Sequence, residues 1–400
     1  MDMEEHPQAR FIVDTLAKNG FIAYYAGGWV RDFLLRHPSD DIDIATNAPP
    51  ETIQALFPKT VPIGIAFGII LVIIDGREYE VATFRNDHDY KDGRRPTRVE
   101  FTTAIEDAKR RDFTINGMFY DPLKEQVLDY VDGQADLKRK LIRAIGDPHE
   151  RIREDRLRMI RAVRLSCRFQ FAIDPATEKA IRAHASELFP AVAIERIVQE
   201  LEKAHSFSNL HPMLIQLHDF GLLQSIFPTL KSIPLSEIKC RLQPLCHFPP
   251  TIPLIGCLLE LFPDMDMAQQ TELIKYLKLP NKELQFATLL YYAKKQIPDI
   301  DLYEWAYFYA NPFSEAALQI LAAHQTNPHY LRDHAQRRQQ LQRSIERIIN
   351  RNPLVKSEDL KALGIAPGVE MGKLLKEAER IAINEQIEDK NIVLKRLVQK

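Results

Sequence analysis

The segment that most constrains the fold is Ala26–Thr46, AGGWVRDFLLRHPSDDIDIAT, which places a glycine turn and a pair of alternating acids in one short stretch. Phe21 to Ala26 is a β-rich run ending at Gly27-Gly28, and Trp29 to Leu35 reads as a helix. A glycine turn at a helix start leaves backbone N–H groups pointing outward beside the positive end of the helix dipole, a place for a phosphate. Arg31, one turn in, adds charge to that cradle. After His37-Pro38-Ser39, the run Asp40-Asp41-Ile42-Asp43-Ile44 reads as a strand, with Asp41 and Asp43 on one face and Ile42 and Ile44 on the other. Adjacent carboxylates repel, and such pairs are usually tolerated where a hard divalent cation such as Mg²⁺ sits between them. A lone Asp-x-Asp is more often a solvated strand end; the glycine turn and Arg31 just upstream favour the metal site.

At 400 residues the chain is long enough for about two to four domains. The N-terminus Met-Asp-Met-Glu-Glu-His lacks the basic start and apolar run of a signal peptide, and the longest apolar stretch, Val61 to Ile74, contains Pro and Gly and is too short for a bilayer. A cytoplasmic location is expected, with no membrane contact. Cys167, Cys240, Cys246 and Cys257 show no CxxC spacing, so buried free thiols are expected rather than a zinc site or disulfides. A net charge of -2 argues against coating nucleic acid with the whole surface. Positive charge is nevertheless concentrated between Lys138 and Arg168, where eleven Lys or Arg face four acids, a cluster suited to triphosphate, RNA or both.

Pro7 to Asn19 reads as an amphipathic helix with Phe11, Ile12, Leu16 and Ala17 at helical spacing, packed on a sheet. Ile69–Ile74 and Glu78–Phe84, joined through Asp75-Gly76, predict a hairpin. In its second strand Glu78, Glu80 and Ala82 face one way, and Tyr79, Val81 and Thr83 the other. Beside the Asp41/Asp43 strand, Glu80 becomes a third carboxylate at the metal; elsewhere it is a surface acid. Arg85 to Arg98 is polar and predicts a mobile loop, either closing over substrate or merely solvated. Arg110 to Asn116, RRDFTIN, reads as a helix opening, with Asp112 and Asn116 one turn apart for ribose hydroxyls and Arg111 toward phosphate. Asp129 to Gly133 makes a turn that closes the first domain.

Arg151 to Arg164, RIREDRLRMIRAVR, predicts a helix that buries Met159, Ala162, Val163 and Cys167. Asp155 and Arg158 are then neighbours on a more exposed face, with Arg161 a turn further on. Such a pair is usually a surface ion pair of little worth. It also matches base chemistry. A carboxylate accepting from an exocyclic amino group, beside a guanidinium donating to a ring nitrogen, fits cytosine and adenine and leaves unpaired groups against uracil and guanine.

GGWVRD with DDIDIAT, the EVATFR strand, RRDFTIN and EDRLRMIRAVR stand in the order and spacing of the class II tRNA nucleotidyltransferase family, which includes CCA-adding enzymes and bacterial poly(A) polymerases. The chain resembles that family strongly over about its first 205 residues, and more weakly in AIERIVQELEKA and PLVKSEDLKALGIAPGVEMGKLL. The resemblance implies an α+β protein: a polymerase-β-like head (1–145), a helical neck (146–205), a helical body (206–350) and a helical tail (351–400). It implies an enzyme adding C, C and A to the tRNA 3′ end from CTP and ATP with Mg²⁺, and no protein partner. By the same resemblance Gly27, Gly28 and Arg31 bind triphosphate, and Asp41, Asp43 and Glu80 are catalytic metal ligands. Arg111, Asp112 and Asn116 bind ribose and phosphate, and Glu154, Asp155, Arg158 and Arg161 select the base. Narrower products stay open (A-adding, CC-adding or poly(A) polymerase), as does a silent tRNA-binding protein, against which the retained carboxylates argue.

Two departures from the family pattern are expected to tune rather than abolish function: Arg36 where glycine is frequent, and Ile69 where threonine is. His218-Asp219 is a lone dyad without the partners of a phosphohydrolase metal site, and reads as structural. Beyond about residue 206, helical periodicity broken by proline predicts an α-helical body that holds tRNA by shape and backbone charge. A helix over His334–Ile349 sets Arg337, Arg338, Arg343 and Arg347 opposite Leu341, Ile345 and Ile348; it lines the RNA path or is a solvated basic helix.

Overall fold

A computed structural model describes residues 6–37, 39–64, 67–90, 96–296 and 300–398. The chain divides into two compact units, Met1–Leu235 and Ser236–Lys400. Strands occur in the first, and the second is helical, an α+β architecture.

The sheet of the first unit is mixed. Its strands are β1 (Ala23–Ala26), β2 (Asp43–Thr46), β3 (Thr60–Gly64), β4 (Ile69–Ile74), β5 (Arg77–Thr83), β8 (Phe119–Asp121) and β9 (Gln126–Leu128), in the order β3-β4-β5-β2-β1-β8-β9. The predicted hairpin is β4–β5: Asp75 and Gly76 both have positive φ, as a tight primed turn requires, and Ile70 pairs with Val81. Strand β5 then lies parallel to β2 with Ile44 opposite Val81, so Asp43 and Glu80 come level on one face. That shared register puts the third acid beside the first two.

The sheet's two faces differ. Ile44, Ile70, Val72, Tyr79 and Val81 are buried on the one covered by helices α1 (Pro7–Lys18) and α3 (Pro50–Leu56). Helix α1 buries Ala9, Ile12, Val13 and Leu16, whereas Phe11 is half exposed, so the apolar stripe is rotated from the predicted one. On the opposite face Ala26, Ala45, Phe84 and Phe119 pack with Ala108 of α4 (Ala104–Lys109), leaving the strand ends that carry the acids open.

Two sequence expectations are corrected here. Arg85–Arg98 is not an irregular loop: β6 (Arg85–Tyr90) and β7 (Pro96–Phe101) form an antiparallel ribbon, with the link at 91–95 outside the described residues. Buried thiols hold for Cys257 alone; Cys167 is half-buried and Cys240 and Cys246 are exposed, all without disulfides.

The neck motif lies on α6 (Pro148–Glu154) and α7 (Leu157–Phe169), followed by α8 (Pro175–His184) and α9 (Ile194–Ser206). In the second unit, the expected helix over 334–349 is two, Tyr330–Gln340 and Gln342–Ile349, meeting at Leu341. Arg337 there stacks on Trp305 at 4.7 Å, and Arg338 and Arg343 pair with Glu315 and Glu388. Among the described residues no helix is long and apolar enough to cross a membrane.

Candidate functional site

Helix α2 (Gly28–Leu34) starts at Gly27, whose φ of +69° is a conformation that side chains disfavour. Space is tight there as well. A Cβ on Gly27 would stand 3.2 Å from Arg111 Nη1 and 3.7 Å from Asp43 Oδ2. The glycine turn, the arginine of the RRD motif and the acid of β2 thus meet at one point.

Asp41 lies just before β2 rather than within it, a correction to the predicted strand; the alternation persists, with Asp41 and Asp43 exposed and Ile42 and Ile44 buried. Asp43 is pushed up to about 7, first by desolvation and then by the charges of Glu80 and Asp41, against the pull of Arg111. Glu80 is raised as well, first by desolvation, with Asp41 adding to it and Arg85 opposing. Three hard oxygen donors whose charges raise the pKa of Asp43 and Glu80 fit a divalent cation, which would relieve the repulsion. Among the described residues no three His, Cys, Asp or Glu are already gathered at ligating distance. The acids therefore interact by charge without forming a ready-made cluster.

Arg111 is aimed by a residue that the motif reading passed over. Asp107, 1% exposed, accepts from Arg111 Nη2 at 3.0 Å and from Arg110 Nη2 at 2.7 Å, while the backbone N–H of Arg85 reaches it at 3.2 Å. It lies three residues before the RRD motif on α4, and a carboxylate an i,i+4 step from an arginine was the available signal. The expected helix opening at RRDFTIN is instead a bridge, Phe113 with Ala144, and a short 3₁₀ turn over Thr114–Asn116. Asp112 and Asn116 still meet, Asn116 Nδ2 donating to Asp112 Oδ1 at 3.0 Å.

Arg31 is 5% exposed. It pairs with Asp32 at 2.8 Å and donates to Asn116 Oδ1 at 2.5 Å, so it braces the ribose motif behind the turn. Asp112 takes Arg161 of α7 at 3.1 Å. Burial alone would raise the Asp112 pKa; Arg161 and the Asn116 hydrogen bond outweigh it and hold the carboxyl below its usual range.

The neck departs from its predicted geometry. Arg151–Arg164 is not one helix, because Asp155 has extended backbone, φ −146° and ψ 103°, between α6 and α7. Asp155 and Arg158 share a backbone bond, Arg158 N–H to the Asp155 carbonyl at 3.0 Å, but their side chains pair elsewhere. Asp155 is held bidentately by Arg196 of α9 at 2.7 and 3.2 Å, and Arg158 by Glu154 at 2.6 Å. The break turns the Asp155 side chain toward α9; Arg196 was legible only as part of AIERIVQELEKA. The basic cluster is largely neutralised as well, with Arg143 on Asp136, Arg156 on Glu187, Arg164 on Glu200 and Arg168 on Asp32. His218 is buried and Asp219 pairs with Arg182 at 2.6 Å.

The family model for the poly A polymerase head domain matches residues 23–143, and that for the probable RNA and SrmB-binding site of polymerase A matches residues 170–233. The CCA-adding enzymes of Staphylococcus saprophyticus and Pediococcus pentosaceus are 45% identical over 210 residues and 47% over 203, half of this chain. Those matches cover 52% and 50% of the relatives, so the chain spans about half the length of the curated relatives it matches. The structure of the Bacillus stearothermophilus CCA-adding enzyme in complex with CTP superposes with a TM-score of 0.81 at 27% identity, covering 98% of both chains. A Thermotoga maritima CCA-adding enzyme complexed with tRNA shares the fold, with a TM-score of 0.68 at 20% identity over 100% of this chain and 96% of that one. Residues 23–143 and 170–233 are thus similar to the poly A polymerase head domain and to its probable RNA-binding site, and half of the chain is similar to CCA-adding enzymes.

Proposed function

We propose that the protein is a template-independent nucleotidyltransferase that adds C, C and A to the 3′ end of tRNA from CTP and ATP. The convergence of Gly27, Arg111 and Asp43 carries this reading, because it brings a phosphate turn, a phosphate cation and a metal acid within one triphosphate's reach. The backbone N–H groups at the start of α2 and the Arg111 guanidinium receive the triphosphate. Asp112 and Asn116 receive the ribose hydroxyls, braced by Arg31 and Arg161. Asp155 accepts from the exocyclic amino group of C or A while Arg158, steadied by Glu154, donates to the ring nitrogen.

The family normally uses divalent metal ions. Asp41, Asp43 and Glu80 would hold Mg²⁺, which supplies the Lewis acidity that lowers the pKa of the RNA 3′-hydroxyl and steadies the pyrophosphate. The hydroxyl attacks the α-phosphorus, the bond to the β-phosphate bridging oxygen breaks, and pyrophosphate leaves; the protein's residues align the reactants and form no covalent bond. In this reading residues 1–145 act as catalytic head, 146–205 as neck, and the body (206–350) and tail (351–400) hold the tRNA in the cytoplasm.

The test supplies tRNA transcripts ending at the discriminator base, at C or at CC, with labelled CTP or ATP and Mg²⁺, and reads extension at single-nucleotide resolution. Stepwise growth that stops at CCA is expected. ATP added to CC-ended tRNA with no CTP incorporated on any transcript would make the enzyme A-adding, CTP incorporation that stops at CC with no use of ATP CC-adding, and unlimited A tails a poly(A) polymerase.

A further inference from the structure

We infer that His149, His184, Glu187 and Arg156 form a positioning bracket that fixes the chain on both sides of Asp155. The inference rests on the assignment of Asp155 and Arg158 as the base-reading pair. Asp155 sits at a break, where Arg196 and the Leu157 N–H hold its carboxylate and the Arg158 N–H bonds its carbonyl at 3.0 Å, so that α7 and α9 orient it. None of these bonds reaches α6, which leaves the angle at which α6 hands over to α7 to contacts beyond Asp155.

The four side chains run in a closed path around that break. His149, in the first turn of α6, places Nδ1 3.1 Å from Nε2 of His184, with the two rings edge to face at 5.3 Å. His184 is the buried last residue of α8, and its Nδ1 lies 2.9 Å from Glu187 Oε1. Glu187 Oε2 accepts from Arg156 Nε at 3.2 Å and Nη2 at 3.0 Å. Arg156 follows Asp155 directly and is the N-cap residue of α7. The path leaves α6, crosses α8 and returns to the chain one residue past the base-reading acid.

Proton accounting makes the path directional. An ionised Glu187 accepts from both neighbours, so His184 Nδ1 carries a proton, and one further proton fills the gap between the imidazoles. The His184 hydrogen bond, ahead of that from Arg156, holds the Glu187 carboxyl below its usual range. Asp147 stands at the far end, its carboxyl depressed chiefly by the Glu150 N–H that it caps and in part by His149. A half-exposed Arg156–Glu187 pair adds little stability by itself. Its effect is on angle, and discrimination by hydrogen bonding is sensitive to small angular errors.

The experiment measures kcat and KM for CTP and UTP on tRNA ending at the discriminator base. It compares full-length wild type with Glu187→Gln and His149→Gln. Either single variant is expected to raise KM for CTP about three- to tenfold and to lower C-over-U discrimination by a similar factor. The kcat should stay within about twofold and the melting temperature unchanged. Wild-type KM and discrimination in both single variants would overturn the bracket, and so would a loss of kcat with KM unchanged. If Asp155→Ala leaves discrimination intact, the base-reading assignment fails and takes the bracket with it; a loss there with no loss in the single variants condemns the bracket alone.

Discussion

The two units of the molecule are held together by different kinds of interaction. In Met1–Leu235, several ion pairs are largely buried and join elements far apart in sequence: Asp32 with Arg168, Asp112 with Arg161, Arg164 with Glu200. In Ser236–Lys400, among the described residues, the ion pairs have at least one exposed partner, whether on one helix, as Lys275 with Glu272, or between helices, as Lys390 with Asp359, and order comes from apolar and aromatic packing. Removing one partner of a buried pair strands a charge, whereas a core filled by volume accepts exchange of one apolar residue for another. Sequence should therefore drift faster in the second unit than in the first.

The largest effect that sharpens this contrast belongs to the acids. Asp43→Ala should cut nucleotide transfer by about a thousandfold or more, because it removes both a cation ligand and a member of a mutually repelling trio. Melting should not suffer, since deleting one of several like charges relieves repulsion. Transfer rate and melting temperature measured on one preparation check both halves; undiminished transfer would remove the catalytic assignment.

Phe286→Ala tests the opposite region. The ring is fully buried, stands edge to face with Phe313 at 5.8 Å and closes on Gly256, so truncation should cost about 3–5 kcal/mol. The chain has two tryptophans, Trp29 in the first unit and Trp305 in the second, and in a W29F background Trp305 fluorescence reports the second unit alone. The denaturation midpoint of that signal should fall while CTP affinity holds. A matching fall in CTP affinity would break the division of labour between the units.

A smaller effect depends on pH. His334, buried beside Arg337 and hydrogen-bonded to Tyr309 Oη at 2.8 Å, is lowered to about 4, first by desolvation and then by Arg337. Its folded pKa lies below the unfolded one, so between about pH 6.5 and 4 the unfolded chain takes up a proton that the folded chain refuses. Stability of the second unit should fall as pH drops through that window, read by Trp305 fluorescence. His334→Gln should flatten the slope, and an equal slope in both proteins would count against the assignment.

Much of the first unit was legible because its signals are local. Asp75-Gly76 fixed a hairpin, the hairpin fixed the register of Glu80, and Gly27-Gly28 marked the turn. Resemblance in four linked motifs supplied the order of the head. What could not be read was tertiary. Asp155 lies within a helical pattern, yet Arg196, forty-one residues on, holds its carboxylate at a break. The basic cluster looked free because its acids, Asp32, Asp112, Asp136, Glu187 and Glu200, come mostly from elsewhere in the chain. The helix over 334–349 failed at one residue, Leu341, where propensity gives no warning.

Arg36 yields the smallest predicted effect. It stands where the family pattern often has glycine, and its φ is +60°, a left-handed backbone that costs a side chain about 1 kcal/mol or somewhat more. The conformation is needed: Arg36 N–H donates to the Phe33 carbonyl and His37 N–H to that of Asp32, bonds that end α2 and turn the chain toward Asp41. Glycine would adopt it without strain but would lose more freedom on folding, so only part of the gain survives. Arg36→Gly should stabilise the first unit by about 0.5–1 kcal/mol, read by Trp29 fluorescence in a W305F background, with transfer rates unchanged. A loss of stability would mean that the exposed guanidinium makes up for its backbone. A loss of transfer would mean that this arginine acts on the RNA, and the contrast between a chemically constrained unit and a volume-constrained one would then extend to a turn that glycine seemed free to fill.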